Sequence, residues 1–534
     1  MAVLALKDMV TIIYFDNESY LHKLYIGHAI TALQQLSKQI KVEFIDAGNL
    51  QKTTRSINSK YIIVFLSLGG YDIFEKFCEH VPKDSILVVC HYIPTYLGEK
   101  IMSKKDVIDY MVIGEFDITL PSLIQYIDQS KNLNECPGIL LRKDGCIKYT
   151  GARSQIEDLD AIGFVNRDAL PSSSSIFHMF ASRGCEGNCT FCDRNALYIG
   201  GNKKQRFRSI KNVVEEIDLL VEKYGCRFVT FSDSTFCGAK NCVDRLNELY
   251  VELKSKDYWV QFFINLRVEQ LSCDVLGVLQ KLATVGLSRV FVGLESFNES
   301  DLCLYNKPTS TEINRTAIQN INKLSKAIDQ YHLDFEFGFI MFNPYTRLEE
   351  LKNNINQLKK CKIDLNPNII SSRIVCNYMQ PLTKIVDKDG MLSVSLNSED
   401  ISRITAPDIK YSFRDSVIAR IYEVISSCYD YLSIKLYNNI TYIRNRYFHF
   451  YGGDSYLNNL DESYLIWKKS LSDFCETLIK TVIKLESTGV SSRKYAIELC
   501  SNFRREFSPV EHRLEMCKRR ILIQLQKINE EIYE

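Results

Sequence analysis

A single short loop constrains this 534-residue chain more than any other part of its sequence. Between residues 182 and 193 it carries Cys185, Cys189 and Cys192 in a C-x3-C-x2-C spacing, and Phe191 precedes the third cysteine. Three thiolates on one loop can bind three irons of a cubic [4Fe–4S] cluster and leave the fourth iron open to an outside ligand. A structural zinc site favours C-x2-C pairs and a closed fourth ligand, and the sequence shows no matching second pair. The spacing therefore predicts an iron–sulfur loop, with zinc or unrelated core cysteines as alternatives.

The loop resembles the cluster motif of the radical SAM superfamily. In that family the open iron binds the amino and carboxylate groups of S-adenosylmethionine (SAM), and one electron cleaves SAM to a 5′-deoxyadenosyl radical. This radical then abstracts a hydrogen atom from the substrate. The resemblance implies a [4Fe–4S] cluster on Cys185, Cys189 and Cys192, SAM as a second cofactor, and an electron donor such as flavodoxin or ferredoxin.

Composition limits the other classes of function. Lys plus Arg (66) nearly equals Asp plus Glu (65), so no global field points to nucleic acid or to an anionic membrane. The eighteen cysteines stand in a sequence without a signal peptide or an apolar run of spanning length. That combination favours a reducing cytoplasm over disulfides. We therefore expect a cytoplasmic protein with neither a nucleic-acid nor a membrane partner.

Residues 1–130 alternate short apolar stretches with helical ones, which predicts a Rossmann-like parallel sheet with helices on its faces. The predicted strands are 10–15, 41–45, 61–66, 86–90 and 110–113. Residues 109–123 resemble the last strand and helix of cobalamin-binding domains that are fused to radical SAM barrels. The cobalamin-ligating D-x-H-x-x-G motif is absent, and His22, His28 and His91 are the candidate corrin ligands. Because some relatives bind cobalamin without a histidine, the sequence leaves cobalamin open.

The rest of the chain divides into three predicted parts. Residues 131–170 form a connector with a hairpin around Asp144-Gly145, and residues 171–390 form a (β/α)6 partial TIM barrel of radical SAM type. The six barrel strands are predicted at 176–181, 226–232, 260–268, 289–294, 335–341 and 369–378. Residues 391–534 form a helical C-terminal domain, with an aromatic loop at 447–453 that either packs or holds substrate. The predicted class is α/β with a helical cap.

Candidate SAM contacts come from the carboxyl ends of the barrel strands, where the chemistry of parallel barrels collects. By resemblance to the family they are Phe191, Asp233 after strand two, Arg267 after strand three, Glu295 after strand four, and Gly338 and Ile340 on strand five. Phe342 replaces the second glycine of the family's strand-five segment. SAM carries a carboxylate, a sulfonium and a ribose, which buried arginine and acidic side chains complement.

The resemblance favours tailoring of a peptide or other natural product by hydrogen-atom abstraction, as in the maturation of ribosomally made peptides. Methylation of an unactivated carbon would require cobalamin, whereas peptide epimerisation would not. Cys376, on the predicted sixth strand, is a candidate catalytic hydrogen donor, since a thiol can quench a substrate radical. A small buried core residue is the alternative for Cys376. A non-enzymatic metal-binding scaffold is the third functional alternative.

Overall fold

The computed structural model describes residues 9–15, 20–36, 39–46, 48–168, 176–201, 205–329, 333–429 and 435–533. The described residues divide into two units. The first unit comprises the described residues within Met1–Gly238 and Val375–Lys410, and the second comprises those within Ala239–Ile374 and Tyr411–Glu534. The serine run at 172–175, which the sequence places before the barrel, lies outside the described residues.

Among the described residues, the first unit contains a seven-stranded sheet in the order β2-β1-β3-β4-β5-β6-β7. Its strands are β1 (Met9–Tyr14), β2 (Gln39–Phe44), β3 (Tyr61–Phe65), β4 (Ile86–Cys90), β5 (Tyr110–Val112), β6 (Ile139–Lys143) and β7 (Cys146–Tyr149). The first five strands pair in parallel, and β6 and β7 extend the sheet in antiparallel fashion. The order 2-1-3-4-5 is that of flavodoxin-like folds, so the predicted Rossmann-like domain is confirmed.

Helices cover both faces of this sheet. They are α1 (Tyr20–Gln34), α2 (Leu50–Arg55), α3 (Tyr71–Cys78), α4 (Tyr92–Lys104) and α5 (Phe116–Asp128). Alternate residues of β3 point to opposite faces, where Ile63 packs with α1 and α5 and Val64 packs with α3 and α4. Continuous apolar strands such as β3 are typical of parallel sheets buried on both sides.

The predicted hairpin joins β6 to β7. Asp144 and Gly145 have φ values of 51° and 77°, as the two central residues of a type I′ turn require. The strands on either side pair from Leu140 with Tyr149 to Lys143 with Cys146. The Asp-Gly dipeptide therefore predicted this turn correctly.

Strand–helix alternation resumes after the connector. In the first unit the elements are β8 (Ile176–Met179), β9 (Ser182–Gly184), β10 (Gln205–Phe207), α6 (Ile210–Tyr224) and β11 (Phe228–Phe231). Strands β9 and β10 form an antiparallel pair, and β11 pairs in parallel with β8. The second unit holds α7 (Cys242–Lys254), β12 (Gln261–Arg267), α8 (Cys273–Ala283), β13 (Leu287–Glu295), α9 (Glu299–Leu304), α10 (Thr311–Asp329), β14 (Asp334–Phe339) and α11 (Leu348–Lys360). There β13 pairs in parallel with both β12 and β14. The Ser209 hydroxyl caps α6 as predicted, because it accepts the Asn212 N–H.

The predicted sixth barrel strand at 369–378 is wrong. Residues Pro367–Ile370 form a short helix, α12, whose first turn is fixed by Pro367 and by the Asn366 side chain, which accepts the Ile369 N–H. An N-cap asparagine followed by proline is a strong helix-start signal, and it overrides the β-branched residues that follow. Beyond α12 the described chain forms an isolated parallel bridge between Phe342 and Arg373. In the described residues, the strand–helix alternation of the predicted barrel therefore includes five parallel strands, β8 and β11–β14.

The remaining helices confirm the helical C-terminal region. They are α13 (Pro381–Lys388) and α14 (Ile401–Ile404) in the first unit, and α15 (Ser416–Cys428), α16 (Lys435–Tyr451), α17 (Ser455–Ser487) and α18 (Arg493–Tyr533) in the second. Even the longest helices in the part of the chain that the structure describes lack the apolar length that a membrane span needs.

The aromatic loop predicted at 447–453 is largely helical instead. Residues up to Tyr451 form the last turns of α16, and Gly452 follows with a φ of 71°. The rings of Tyr447 and Tyr451 stack at 4.8 Å between centroids, and the His449 ring stacks on Trp259 at 3.9 Å. Because residues four apart share a helix face, these rings pack better on a helix than on a loop.

Gly286, after α8, marks a close approach of two backbone segments in the second unit. Its φ is 116°, and an added Cβ would lie 2.0 Å from the Val260 carbonyl oxygen. We expect Gly286→Ala to lower the free energy of unfolding by more than about 2 kcal/mol, because overpacking and left-handed strain add. Gly277→Ala in α8 is the control: its Cβ would meet nothing within 4 Å, and we expect stabilisation of about 0.5–1 kcal/mol. Equal effects in denaturant unfolding would contradict this account.

Candidate active site

The three motif cysteines, which follow β9, line one cavity of about 220 Å³ in the first unit. Cys185, Cys189 and Cys192 are all partly exposed. Tyr96 of α4 and Met379, before α13, line the same cavity. The cysteine loop and the N-terminal sheet domain therefore border a common space.

Asn195 fixes the shape of the loop. Its side-chain oxygen accepts the Cys185 N–H at 2.8 Å, and its Nδ2 donates to the carbonyls of Cys185 at 3.1 Å and Gly187 at 3.3 Å. The Gly187 N–H donates to the Cys185 sulfur at 3.3 Å, and the Cys192 N–H donates to the Cys189 carbonyl at 3.1 Å. Hydrogen bonds to cluster sulfurs help to set the reduction potential of iron–sulfur sites. The sequence motif gave no sign of this role for Asn195.

The three thiols share one cavity, which is what a bound cluster requires. In a [4Fe–4S] cube each thiolate binds a different iron, so the sulfurs need a common cavity rather than a common point. Burial raises the pKa of the Cys192 thiol to about 11, so iron binding there displaces a proton. The common cavity suits a cluster, and its binding by these three cysteines stays a prediction.

A buried ion network immediately precedes the cysteine loop. Arg183 on β9 donates to Asp117 at 2.7 and 2.8 Å and to Glu115 at 3.1 Å. Arg206, opposite Arg183 on β10, donates to Glu115 at 2.9 and 3.0 Å. The four side chains are each 7% exposed or less. Burial is the largest influence and would raise the pKa of Asp117, but the charge and hydrogen bonds of Arg183, together with smaller contributions, hold that pKa below its usual value.

Asp233, at the end of β11, braces the start of the same loop. Its carboxylate accepts the Ala181 N–H at 3.1 Å and the Ser182 hydroxyl at 2.5 Å. Because the side chain is 2% exposed, these contacts give Asp233 a structural role in the loop. Its contact with SAM stays a prediction, as does that of the partly exposed Phe191.

Four of the predicted SAM residues lie at the carboxyl ends of neighbouring strands in the second unit. Arg267 on β12 pairs with Gly293 on β13, and Gly293 pairs with Gly338 on β14. The Ile340 N–H, just after β14, donates to the Glu295 carbonyl at 2.8 Å. The structure thus brings Arg267, Glu295, Gly338 and Ile340 to one end of three adjacent strands.

Glu295 ends β13 in an unusual conformation. Its φ of 67° is left-handed, and the pairing register with β14 shifts at this point. Strained non-glycine residues and irregular strand ends concentrate at functional sites. The Glu295 carboxylate accepts Lys307 Nζ at 2.8 Å, and a Cβ on Gly293 would lie 2.6 Å from that carboxylate. A side chain at position 293 would therefore displace this ion pair.

Both charged strand-end residues already have partners that the sequence motif did not reveal. Lys307 pairs with Glu295, and Glu269 accepts Arg267 Nε at 2.6 Å. The Lys307 partner lies twelve residues along the chain, beyond any local pattern. Any contact of Arg267 or Glu295 with SAM has to be shared with these partners.

Cys376 lies in the first unit, after the bridge at Arg373. It is fully buried, and its carbonyl accepts the Ile409 N–H at 2.7 Å. Residues 371–378 form no regular strand, so the alternation that placed its thiol toward a reacting centre does not apply. Its role as a hydrogen donor stays a prediction.

The described candidate corrin histidines are enclosed by other side chains. His28 is buried and stacks on Phe180 with ring centroids 6.2 Å apart, and burial lowers its pKa to about 4. His91 is buried with its ring 4.2 Å from that of Tyr92, and its φ is 94°. The side chain of His22 lies outside the described residues. Both described histidines are thus packed against aromatic rings, and a role of either as a corrin ligand stays a prediction.

Residues 179–358 match the family described as the Radical SAM superfamily. A C-x3-C-x2-C loop between β9 and β10, together with parallel strand–helix alternation, is the architecture that this family uses. Residues 179–358 are therefore similar to the Radical SAM superfamily in both sequence and architecture. Enzymes of the superfamily use a [4Fe–4S] cluster and SAM.

Curated relatives are similar over part of the chain. "Uncharacterized methyltransferase PH0819" of Pyrococcus horikoshii is 25% identical over 325 residues, or 60% of this chain and 62% of that protein. The anaerobic magnesium-protoporphyrin IX monomethyl ester cyclase of Synechocystis sp. is 25% identical over 253 residues, covering 44% and 46%. The 4′-phospho-dehydrooxetanocin synthase of Priestia megaterium is 23% identical over 371 residues, covering 61% and 47%. This chain spans less than two thirds of the length of each of these relatives.

Solved structures are similar over more of the chain. The cobalamin-dependent radical enzyme OxsB, with aqua-cobalamin and SAM bound, has a TM-score of 0.65 at 14% identity and covers 96% of this chain and 83% of its own. The methyltransferase TsrM of Kitasatospora setae has a TM-score of 0.55 at 12% identity, covering 71% and 76%. These likenesses confirm the predicted fold, with its Rossmann-like domain, radical SAM domain and helical C-terminal region.

We expect Cys189→Ala to lose most of its cluster and all SAM cleavage, because a cube with one open iron needs three thiolates. Iron content and 5′-deoxyadenosine production after anaerobic reconstitution measure both effects. Cys273→Ala is the control, since Cys273 is exposed at the start of α8, and it should keep both. Full 5′-deoxyadenosine production by Cys189→Ala would refute the cluster assignment.

Proposed function

We propose that this protein reductively cleaves SAM and methylates a carbon atom of a peptide or other natural product, with cobalamin as the methyl carrier. The cavity shared by Tyr96 and the cluster cysteines carries this proposal. Any cofactor at the carboxyl edge of the N-terminal sheet would lie beside the cluster. The names of two relatives, which describe methyltransferases, and the cobalamin in OxsB add support.

In this proposal the corrin would be held at the sheet edge by apolar contact rather than by a histidine. The strand order reverses between β1 and β3, which creates a ligand crevice at the carboxyl edge of the sheet. At that edge Leu68 and Tyr96 are partly exposed. Tyr92, four residues before Tyr96, is buried. Leu68 and Tyr96 would hold the ring by apolar contact, as in other largely apolar cofactor sites. Cobalamin, when bound, supplies the methyl-transfer chemistry.

The chain's own residues would bind and orient SAM. Cys185, Cys189 and Cys192 would hold three irons and leave one coordination position for the amino and carboxylate groups of SAM. Arg267 would complement the carboxylate, and Glu295 would accept hydrogen bonds from SAM while it stays paired with Lys307. A low-potential donor such as flavodoxin or ferredoxin would supply the electron. The 5′-deoxyadenosyl radical would then abstract a hydrogen atom from the substrate.

Removing either charged contact should weaken SAM binding about ten- to a hundredfold, because a charge-assisted contact contributes roughly 1.5–3 kcal/mol. The variants are Arg267→Ala and Glu295→Gln, and their iron content should match the wild type since neither residue contacts metal. Arg289→Ala is the control, because Arg289 pairs with Glu336 away from the strand end. Equilibrium binding of SAM to the reconstituted protein gives the affinity. Unchanged affinity in both variants would contradict the assignment.

The methyl-transfer proposal is tested on anaerobically purified protein reconstituted with iron, sulfide and hydroxocobalamin. We expect corrin absorbance to survive desalting, and S-adenosylhomocysteine to form together with 5′-deoxyadenosine. A protein that retains the cluster and forms 5′-deoxyadenosine, but holds no corrin and forms no S-adenosylhomocysteine, would contradict methyl transfer. That result would favour a cobalamin-free reaction such as epimerisation with Cys376 as the hydrogen donor.

A further inference from the structure

An arginine packed among aromatic rings lies beyond the end of β14 in the second unit. We refer to this group as the arginine–aromatic platform, and it consists of Phe342, Arg373, Tyr411, Phe413 and Tyr422. Neither the cluster nor the predicted SAM contacts use any of these residues. The three rings at 411, 413 and 422 come from the start of the helical C-terminal region.

The platform continues from the strand end that carries the predicted SAM residues. Phe342 follows Ile340 by two residues, or about 7 Å of extended chain. Residues 371–374 run alongside, because the Phe342 N–H donates to the Ser372 carbonyl at 3.0 Å and the Ile374 N–H donates to the Phe342 carbonyl at 2.9 Å. Since catalytic groups collect at the carboxyl ends of barrel strands, the platform lies where a substrate would enter.

Ring contacts fix the position of the Arg373 guanidinium. Its central carbon lies 5.3 Å from the Tyr411 ring centroid and 6.0 Å from that of Tyr422. The Phe413 ring packs against the same two rings, at 5.4 and 5.3 Å between centroids. Arg373 and these three rings are partly exposed, whereas Phe342 beneath them is fully buried. The platform is thus a supported surface with a cation that keeps some access to solvent.

We propose that the platform is a substrate subsite that binds a planar group bearing a carboxylate or a phosphate. A guanidinium presents a rigid fork of N–H donors that matches both anions, and its face can stay on the tyrosine rings while its edge binds. Aromatic faces accept a flat ring by stacking. This inference rests on the proposed function, because it names the class of substrate that the same active site would take.

The alternative is that Arg373 only joins residues 371–374 to residues 411–422. Its donation to the Ile374 carbonyl at 2.9 Å would then be a packing contact like the others. A packing role predicts a loss of stability when Arg373 is replaced. It does not predict any preference of the folded protein for anionic ligands over neutral ligands of the same shape.

Binding of matched charged and neutral probes distinguishes a substrate subsite from a packing role of Arg373. The probes are adenosine 5′-monophosphate against adenosine, for phosphate, and indole-3-carboxylate against indole, for carboxylate. Reconstituted protein is titrated by calorimetry at physiological salt with saturating SAM, so that adenosine compounds cannot enter the SAM site. We expect at least one anion to bind about tenfold or more tightly than its neutral partner, and the preferred pair identifies the anion.

Arg373→Gln should abolish the preference, and Arg373→Lys should retain only part of it, since lysine keeps the charge without the fork. Tyr422→Leu should weaken the anion and its neutral partner alike. Arg289→Gln is the matched control, because Arg289 also lies over an aromatic ring, Phe263, yet sits away from the strand end, and it should keep the full preference.

Two results would overturn the subsite: no anion preference in the wild type, or a preference that survives Arg373→Gln. SAM affinity, measured first in each sample, distinguishes this failure from that of the proposed function. Wild-type protein that binds no SAM contradicts the proposed function. Protein that binds SAM normally but shows no anion preference contradicts only the platform.

Discussion

A buried network of two arginines and two carboxylates determines where the cysteine loop lies. Glu115 and Asp117 stand at the beginning of α5, where the helix dipole favours negative charge, and Arg183 lies two residues before Cys185. Removing one partner of such a buried pair costs roughly 3–5 kcal/mol, because an uncompensated charge remains. The network therefore ties β9, and with it the start of the cysteine loop, to the N-terminal sheet domain. That domain thus helps to shape the proposed cluster site.

The same attachment explains why Tyr96 borders the cluster cavity. Tyr96 lies on α4, after β4, and the ion network fixes α5 after β5 against the loop. Both elements leave the carboxyl edge of one sheet, which is the edge where doubly wound folds bind ligands. A methyl carrier held there needs no long-range motion to serve chemistry at the cluster. In the second unit, the strand ends carry the residues that we propose as SAM contacts.

Local sequence patterns predicted what local physics determines. Apolar runs predicted β3 and β4, Asp144-Gly145 predicted the hairpin between β6 and β7, and the cysteine spacing predicted the iron–sulfur loop. The link between Arg183 and Asp117 could not be predicted, because 66 residues separate them and neither of the two stretches that hold them specifies a partner in the other. The prediction of a sixth strand was wrong because Asn366-Pro367 starts a helix within an otherwise β-favouring run. Charged partners at the strand ends, such as Lys307, could not be predicted either, because no motif specifies them.

Iron loading of Asp117→Asn shows whether the ion network holds the cysteine loop in place for its cluster. Asp168→Asn is the control, since Asp168 forms an exposed ion pair with Lys223 in the same unit. After identical anaerobic reconstitution, the account predicts that the control binds about four irons per chain and that folded Asp117→Asn binds far fewer. Circular dichroism confirms that both variants are folded. A folded Asp117→Asn protein with a full cluster and wild-type 5′-deoxyadenosine production would contradict the account.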